Sequence, residues 1–567
     1  MEITVPGLWG QGQLFAFSAL DGESLYSDDF VGILSGDRLG VRFFSKKPRE
    51  LAFAAYLPIK PQVETVTGDL IVAQLPGKRV LQMVYAQARL IVGSVCQPAE
   101  MTVLVDGSCS IIQDGDVQVQ DTGDGEYSAL LQKDGRFAFG FGHNAREAVA
   151  LVHRGIAMDI DQQVQKKLDF YRNVSVAVAT QYRPLAAKCL SVMKTQLYSP
   201  QGRFCGIWST PDRLPHRKLW LWDSVFHAIG WRHVDPKVAQ SLILTMLQTQ
   251  QEDGFIPHMS TPETNSDITQ PPVIAWGAWK VYEISRDKTF LRQVYEKNRA
   301  FLRWCRDNRR QTERELYTWF TNDSTHCRCD ESGMDNSPRF DTAEKLFAID
   351  FSCFMANETR MMAAIAGELG DDTARAEYNA WFLAIREAVN GLLWCPEDGF
   401  YYDYSIPGGK WHKVESVASF LPLFAGLCDR AQADCLVAAL KDPNRFGSTL
   451  PVPSIAKRDA TFGTDMWRGP VWINYNYMIA EGLNNCGYGA LATQLRRKTL
   501  QAVDKYYRQR GTVYEFYDSE DQKAPPALNR KGVPFEPYDF RVRIQTIRDY
   551  GWTAALTLDL LCGQEGV

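Results

Sequence analysis

The strongest constraint on how this chain can fold is a change of period along it. From about residue 175 onward apolar side chains recur at helical spacing. Between residues 372 and 393, Tyr378, Trp381, Phe382, Ile385, Val389 and Leu392 fall at i, i+3, i+4, i+7, i+11 and i+14, a single stripe along a helix. Eleven further segments can be drawn the same way, at about 183–198, 221–231, 236–250, 271–285, 288–308, 343–369, 415–425, 428–441, 470–485, 489–509 and 544–562. Twelve helices joined by alternately short and long connections is the count of a toroid of six hairpins, with inner helices ringed by outer ones. The long connections, at about 199–220, 251–270, 309–342, 442–469 and 510–543, hold most of the unusual residues, and loops on a rigid scaffold are where chemistry usually sits.

The first 150 residues obey a different rule. Alternating stretches such as Val117-Gln118-Val119-Gln120 and Arg136-Phe137-Ala138-Phe139-Gly140-Phe141 stand between turn signals Asp114-Gly115, Gly123-Asp124-Gly125 and Asp134-Gly135. Short strands with frequent turns predict an antiparallel β-sandwich. A Gln- and Lys-rich helical stretch, 158–171, then separates the two patterns. The predicted organisation is a β-sandwich-like domain over 1–150, a helical linker over 151–175 and an (α/α)6 barrel over 176–567.

Charge narrows the partners. With 62 basic against 67 acidic side chains and a formal charge of -5, there is no clustered cationic surface for nucleic acid or an anionic membrane. The longest apolar candidate, 417–428, is too short to span a bilayer and contains Pro422. The N-terminal residues show no basic and apolar leader, and the 13 cysteines follow no disulfide framework. A cytoplasmic protein is expected. His326-Cys327-Arg328-Cys329 lacks a second Cys/His pair at zinc spacing, so no metal site is predicted.

The densest chemistry is the run Asp330-Glu331-Ser332-Gly333-Met334-Asp335-Asn336-Ser337-Pro338-Arg339-Phe340-Asp341. Crowded carboxylates, partly buried, can keep one of them protonated near neutrality, and such an acid can protonate a leaving group. A solvated acidic loop capping a following helix is the plainer reading of the same residues. Around it stand Trp220-Leu221-Trp222-Asp223, then Gly254-Phe255-Ile256-Pro257-His258, Gln270-Pro271-Pro272, Trp276, and Trp467-Arg468-Gly469-Pro470-Val471-Trp472. Aromatic platforms beside carboxylates and amides suit sugars, whose apolar ring faces are edged by hydroxyls. A last carboxylate, Glu515, lies among Tyr514, Phe516 and Tyr517, ahead of Gly551-Trp552.

From about 180 to 562 the chain resembles glycoside hydrolase family 63, which includes processing and bacterial α-glucosidases and mannosylglycerate and glucosylglycerate hydrolases, and more distantly it resembles trehalases. The resemblance rests on Trp222-Asp223-Ser224-Val225-Phe226, Gly254-Phe255-Ile256-Pro257-His258, Gln270-Pro271-Pro272, Glu331-Ser332-Gly333-Met334-Asp335-Asn336, Trp467-Arg468-Gly469-Pro470-Val471-Trp472 and Gly551-Trp552, in that order. It implies an inverting hydrolase of an α-glucoside or related α-hexoside, with Asp335 as general acid and Glu515 as general base. The expected substrate contacts are Trp222, Asp223, Phe226, His258, Gln270, Trp276, Glu331, Arg339, Trp467, Arg468, Trp472 and Trp552. The partner is a small carbohydrate or glycoside. No organic cofactor is implied; calcium occurs in some relatives, but no loop here matches acidic calcium-ligand spacing. Three alternatives use the same scaffold: a phosphorylase, a sugar epimerase working through His227 and His258, and a carbohydrate-binding protein without catalysis.

Overall fold

The computed structural model describes residues 3–28, 30–35, 40–44, 49–53, 62–75, 79–95, 101–105, 107–321, 329–342, 344–531 and 546–563. His326, Cys327 and Arg328 lie outside the described residues, as does the 510–543 connection beyond Lys531.

The described N-terminal residues form two antiparallel sheets. One has five strands, in spatial order Leu14–Phe15, Val31–Leu34, Gly40–Phe44, Arg49–Phe53 and Met101–Val105. The other has eight, in the order Ser110–Asp114, Val117–Asp121, Tyr127–Lys133, Arg136–Gly142, Leu90–Val95, Arg79–Gln87, Leu70–Leu75 and Gln62–Val66. Strand alternation sorts their side chains. In Arg79–Gln87, Leu81, Met83 and Tyr85 enter the core between the sheets with Phe15, Phe43 and Phe139, whereas Val84 and Ala86 turn to the opposite face. That second face is covered by helices α1 (Ala145–Ile156) and α2 (Ile160–Asn173), which supply Ala148, Leu151, Val152, Ile160 and Val164. The hairpin between Lys133 and Arg136 turns on Asp134 and Gly135, both at positive φ (49° and 73°), as a two-residue Asp-Gly turn requires.

Among the described residues twelve helices follow: α3 (Arg183–Thr195), α4 (Leu221–Trp231), α5 (Pro236–Leu247), α6 (Ile274–Ser285), α7 (Lys288–Arg309), α8 (Ile349–Leu369), α9 (Asp372–Leu392), α10 (Leu421–Ala425), α11 (Arg430–Lys441), α12 (Ile473–Asn485), α13 (Gly489–Arg510) and α14 (Gly551–Cys562). Helices α4, α6, α8, α10, α12 and α14 each pack on the next, and α14 packs back on α4, so they close a ring. Helices α3, α5, α7, α9 and α13 lie outside it against α14, α4, α6, α8 and α12. Helices α8, α10 and α14 start later than their period suggests, α10 behind a 3-10 turn at Val417–Phe420. Leu346–Phe347 pairs as a strand with Tyr404–Ser405 ahead of α8, and Tyr550 is extended ahead of α14.

Four helices outside the ring, though not α3 and α13, begin differently from the inner ones. Asp235, Asp287, Asp371 and Asp429 cap outer helices by accepting hydrogen bonds from first-turn N–H groups. Inner helices α4, α10, α12 and α14 start instead behind Trp220, Phe420, Trp472 and Tyr550, with no side-chain cap. Several of their first N–H groups donate instead to neighbouring chain, Leu221 to the His258 carbonyl, Trp222 to Gln270 Oε1 and Gly551 to the Pro211 carbonyl.

Buried ions fasten the sheets to the helices. Lys194 of α3 reaches Asp69 at 2.8 Å and Asp21 at 2.9 Å, and Lys167 of α2 reaches Asp21 at 2.6 Å. Asp549, just before α14, accepts from the Leu14 backbone N–H and pairs with Lys188 at 2.8 Å. The N-terminal sheets thus hold the chain immediately ahead of Tyr550 and Trp552. No helix among the described residues is long and apolar enough to cross a membrane, no disulfide forms among the described cysteines, and no described His/Cys/Asp/Glu group is arranged to hold a metal ion.

Candidate active site

Asp335 sits between two anchors of one loop. At the loop's start the buried Glu331 accepts from Arg309 Nε and Nη2 at 3.0 and 2.7 Å and from the backbone N–H groups of Thr269 and Phe320 at 3.1 and 2.7 Å. At its end the buried Arg339 donates to Asp350 at 2.6 and 2.8 Å and to Asp403 at 2.7 and 2.8 Å. Glu331 and Arg339 are therefore the loop's moorings and do not reach the cleft; every lone pair and donor that burial would penalise is used. Between them Gly333, at φ +70°, lies so close to Trp222 that a Cβ would come within 2.4 Å of its ring. The acid loop is pressed onto an indole, and only glycine fits there.

Crowding of like charges, the expectation from the sequence, is not what surrounds these carboxylates. Three of the four meet their own cations: Glu331 meets Arg309, Asp341 meets Arg468, and Asp335 Oδ2 meets Lys531 Nζ at 2.7 Å. Arg468 is thereby turned to the loop's far end and does not line the cleft.

Glu515 is buried and accepts from Arg530 Nε at 2.9 Å on Oε2, and from Nε and Nη2 at 3.3 and 3.2 Å on Oε1. It and Asp335 line one cleft together with Trp222, Asp223, His258, Gln270, Trp472 and Trp552. Burial, with the charges of Asp212 and Glu515 adding to it, pushes the Asp223 carboxyl well above the usual carboxylate range. Its Oδ1 has no hydrogen-bond partner among the described residues, so a neutral Asp223 has donor and acceptor capacity for a sugar hydroxyl. Burial likewise holds His258 neutral, its pKa pushed down to about 4. Gln270 Oε1 accepts from the Trp222 N–H at 3.3 Å, tying the amide to the aromatic wall.

Three predicted aromatics stand behind that wall. Trp467 stacks parallel beneath Trp472, ring centroids 3.9 Å apart. Phe226 packs behind Trp222 and Trp552, and Trp276 donates its Nε1 to Glu481 at 3.1 Å within the ring of helices. Trp467→Ala is accordingly expected to lower unfolding free energy by on the order of 3–5 kcal/mol in a denaturant titration, through the cavity it leaves, while KM of the folded enzyme changes little. His227 also misses the cleft; burial lowers its pKa to about 3, and its Nδ1 faces Ser209 Oγ at 2.7 Å. The cleft includes residues that sequence patterns did not single out, among them Pro211, His216, Met259, Arg530 and Lys531.

Comparison with known proteins assigns the family. The family model described as the mannosylglycerate hydrolase MGH1-like glycoside hydrolase domain matches residues 216–553. A mannosylglycerate hydrolase of Thermus thermophilus is 26% identical, over 55% of this chain and 91% of its own. A glucosylglycerate hydrolase of Mycolicibacterium hassiacum is 23% identical, over 57% of this chain and 91% of its own. A solved mannosylglycerate hydrolase from Thermus thermophilus, in complex with Tris and D-glycerate, superposes with a TM-score of 0.54 at 25% identity, covering 66% of this chain and 99% of that one. A bacterial glucoamylase shares the fold alone, with a TM-score of 0.63 at 10% identity over 99% of this chain and 96% of its own. With the match spanning both carboxylate loops, the chain belongs to the mannosylglycerate hydrolase MGH1-like glycoside hydrolases of family 63 and is a glycoside hydrolase.

Proposed function

We propose that the helical ring is an (α/α)6 barrel, residues 176–567, carried behind a β-sandwich-like domain, and that its cleft cleaves a small α-linked hexoside with inversion. Asp335 protonates the glycosidic oxygen, and Glu515 deprotonates the water that attacks the anomeric carbon from the other face. Asp223, Gln270, Trp222, Trp472 and Trp552 hold the sugar, since positioning contributes as much to the rate as proton transfer. The observation that carries this reading is that Asp335 and Glu515 arrive on separate loops at one aromatic-walled cleft.

The aglycone is anionic in this reading. An acid must carry its proton to be useful, yet the Lys531 ammonium sits on the Asp335 carboxylate at 2.7 Å. A carboxylate-bearing aglycone attracts Lys531 to itself and leaves Asp335 able to hold a proton. Relatives named for mannosylglycerate and glucosylglycerate act on aglycones of this kind. The experiment is product analysis with mannosylglycerate, glucosylglycerate, trehalose, kojibiose and the neutral glucosylglycerol. One of the glycerates is expected to turn over fastest, and Lys531→Met to narrow its advantage over glucosylglycerol. Preference for a neutral disaccharide, unchanged by Lys531→Met, would remove the anionic aglycone from the proposal.

A further inference from the structure

Arg530 does not hold Glu515 unaided. The Nη2 that donates to Glu515 Oε1 at 3.2 Å also lies 3.2 Å from His216 Nε2, on the connection ahead of α4. A guanidinium has no lone pair to offer, so this contact fixes the imidazole tautomer: Nε2 accepts and Nδ1 carries the hydrogen. The second contact agrees with the first. Nδ1 lies 2.6 Å from Asp212 Oδ2, and Asp212 Oδ1 accepts the backbone N–H of His216 at 2.9 Å. Trp220 packs edge-on against the ring, centroids 5.8 Å apart, and its Nε1 donates to the His216 carbonyl at 3.3 Å. Asp212, His216 and Arg530 are all buried, so neither the imidazole nor the guanidinium has a water-facing orientation to turn to.

This arrangement divides the guanidinium. Nε makes its shortest contact, 2.9 Å, to Oε2 of Glu515, whereas Oε1 has only the longer ones at 3.3 and 3.2 Å, Nη2 being drawn by its second N–H toward His216. Oε2 also accepts the Ile547 backbone N–H at 3.4 Å, so each oxygen has two contacts and Oε1, without a short one, is the more weakly held and the better placed to accept a water proton. Without an acceptor at His216 Nε2, Nη2 would settle wholly on Glu515 and engage both oxygens in a symmetric fork, the arrangement that best stabilises a carboxylate and makes it least ready to take a proton.

We propose that Asp212 and His216 are positioning residues that hold Arg530, and through it Glu515, in the orientation from which Oε1 takes the proton of the attacking water. The proposal rests on Glu515 being the base, as set out above. Substitutions at 216 separate the two ring nitrogens. In His216→Gln the side-chain oxygen can stand where Nε2 stood and accept from Arg530; in His216→Asn the amide nitrogen can keep the Asp212 contact, but nothing reaches Arg530. On whichever of mannosylglycerate or glucosylglycerate is cleaved, His216→Asn is expected to lower kcat about 10- to 100-fold, the scale of a misplaced catalytic group, with KM within about twofold. His216→Gln is expected to recover most of that loss. If His216→Asn does not fold, Asp212→Asn replaces it: an amide nitrogen facing Nδ1 reverses the tautomer, turns an N–H toward Arg530 and should give the same loss of kcat. Equal kcat for the Asn and Gln variants, whether unchanged or falling in step with melting temperature, overturns the proposal. Glu515→Gln, assayed alongside, separates the two failures. An active Glu515→Gln removes the base itself, whereas an inactive one beside a fully active His216→Asn removes only the positioning role.

Discussion

Asp335→Asn is expected to lower turnover of a natural glycoside by about 10²- to 10⁴-fold, the range of a lost general acid, while a nitrophenyl α-glucoside loses far less. The asymmetry follows from the leaving group, since nitrophenolate departs without protonation and a sugar or glycerate alkoxide does not. The variant is isosteric, and the loop does not depend on Asp335 for its shape. Glu331 and Arg339 moor it to Arg309, Asp350 and Asp403, and Gly333 presses it onto Trp222. The released Lys531 is partly exposed and can be hydrated. Melting temperature should therefore stay close to wild type, which separates a chemical loss from a structural one. Near wild-type turnover of the natural substrate would move the acid elsewhere, and Asp330, the other carboxylate of this loop that lines the cleft, would be next.

The sequence made the scaffold legible because period is a local property. The α9 stripe of Tyr378, Ile385 and Val389 is buried as drawn, and the Asp-Gly hairpin at 134–135 turns where it should. Residue roles at the site were less legible, because composition does not distinguish a ring that faces a cleft from one that backs it. Trp467 and Trp472 belong to the same hexapeptide, yet only Trp472 lines the cleft and Trp467 lies under it. Charge misleads in the same way. Glu331 and Arg339 sit beside Asp335 in sequence, but both are consumed by buried ion pairs. His216 and Arg530, by contrast, come from connections more than 300 residues apart and meet only in the folded molecule. No local pattern marks either one, and a long-range hydrogen bond leaves no signature in a single sequence.

The pairing of Asp335 with Glu515 is tested most directly by stereochemistry, because each residue could prove essential for reasons of its own. Glu515→Gln keeps an acceptor for Arg530 and nearly the same volume, but the amide cannot take a proton from water. Turnover is expected to fall by about 10²- to 10⁴-fold for natural and nitrophenyl substrates alike, since water must be activated whatever group departs. Substrate should still bind, as calorimetry on the inactive variant can measure. In the wild-type enzyme, water delivered opposite the leaving group gives the β-anomer first from an α-glycoside, and proton NMR resolves it before mutarotation mixes the anomers. An inverting pair holds its carboxyl groups roughly 6.5–9.5 Å apart to admit that water, and a retaining pair about 5–5.5 Å apart. Release of the α-anomer first, or a glycosyl group trapped on either carboxylate, would end the inverting assignment even if both variants were inactive. Glu515 would then be reacting with the sugar itself, and the grip of Arg530 on its Oε2 would have to be understood as steadying a nucleophile and not a base.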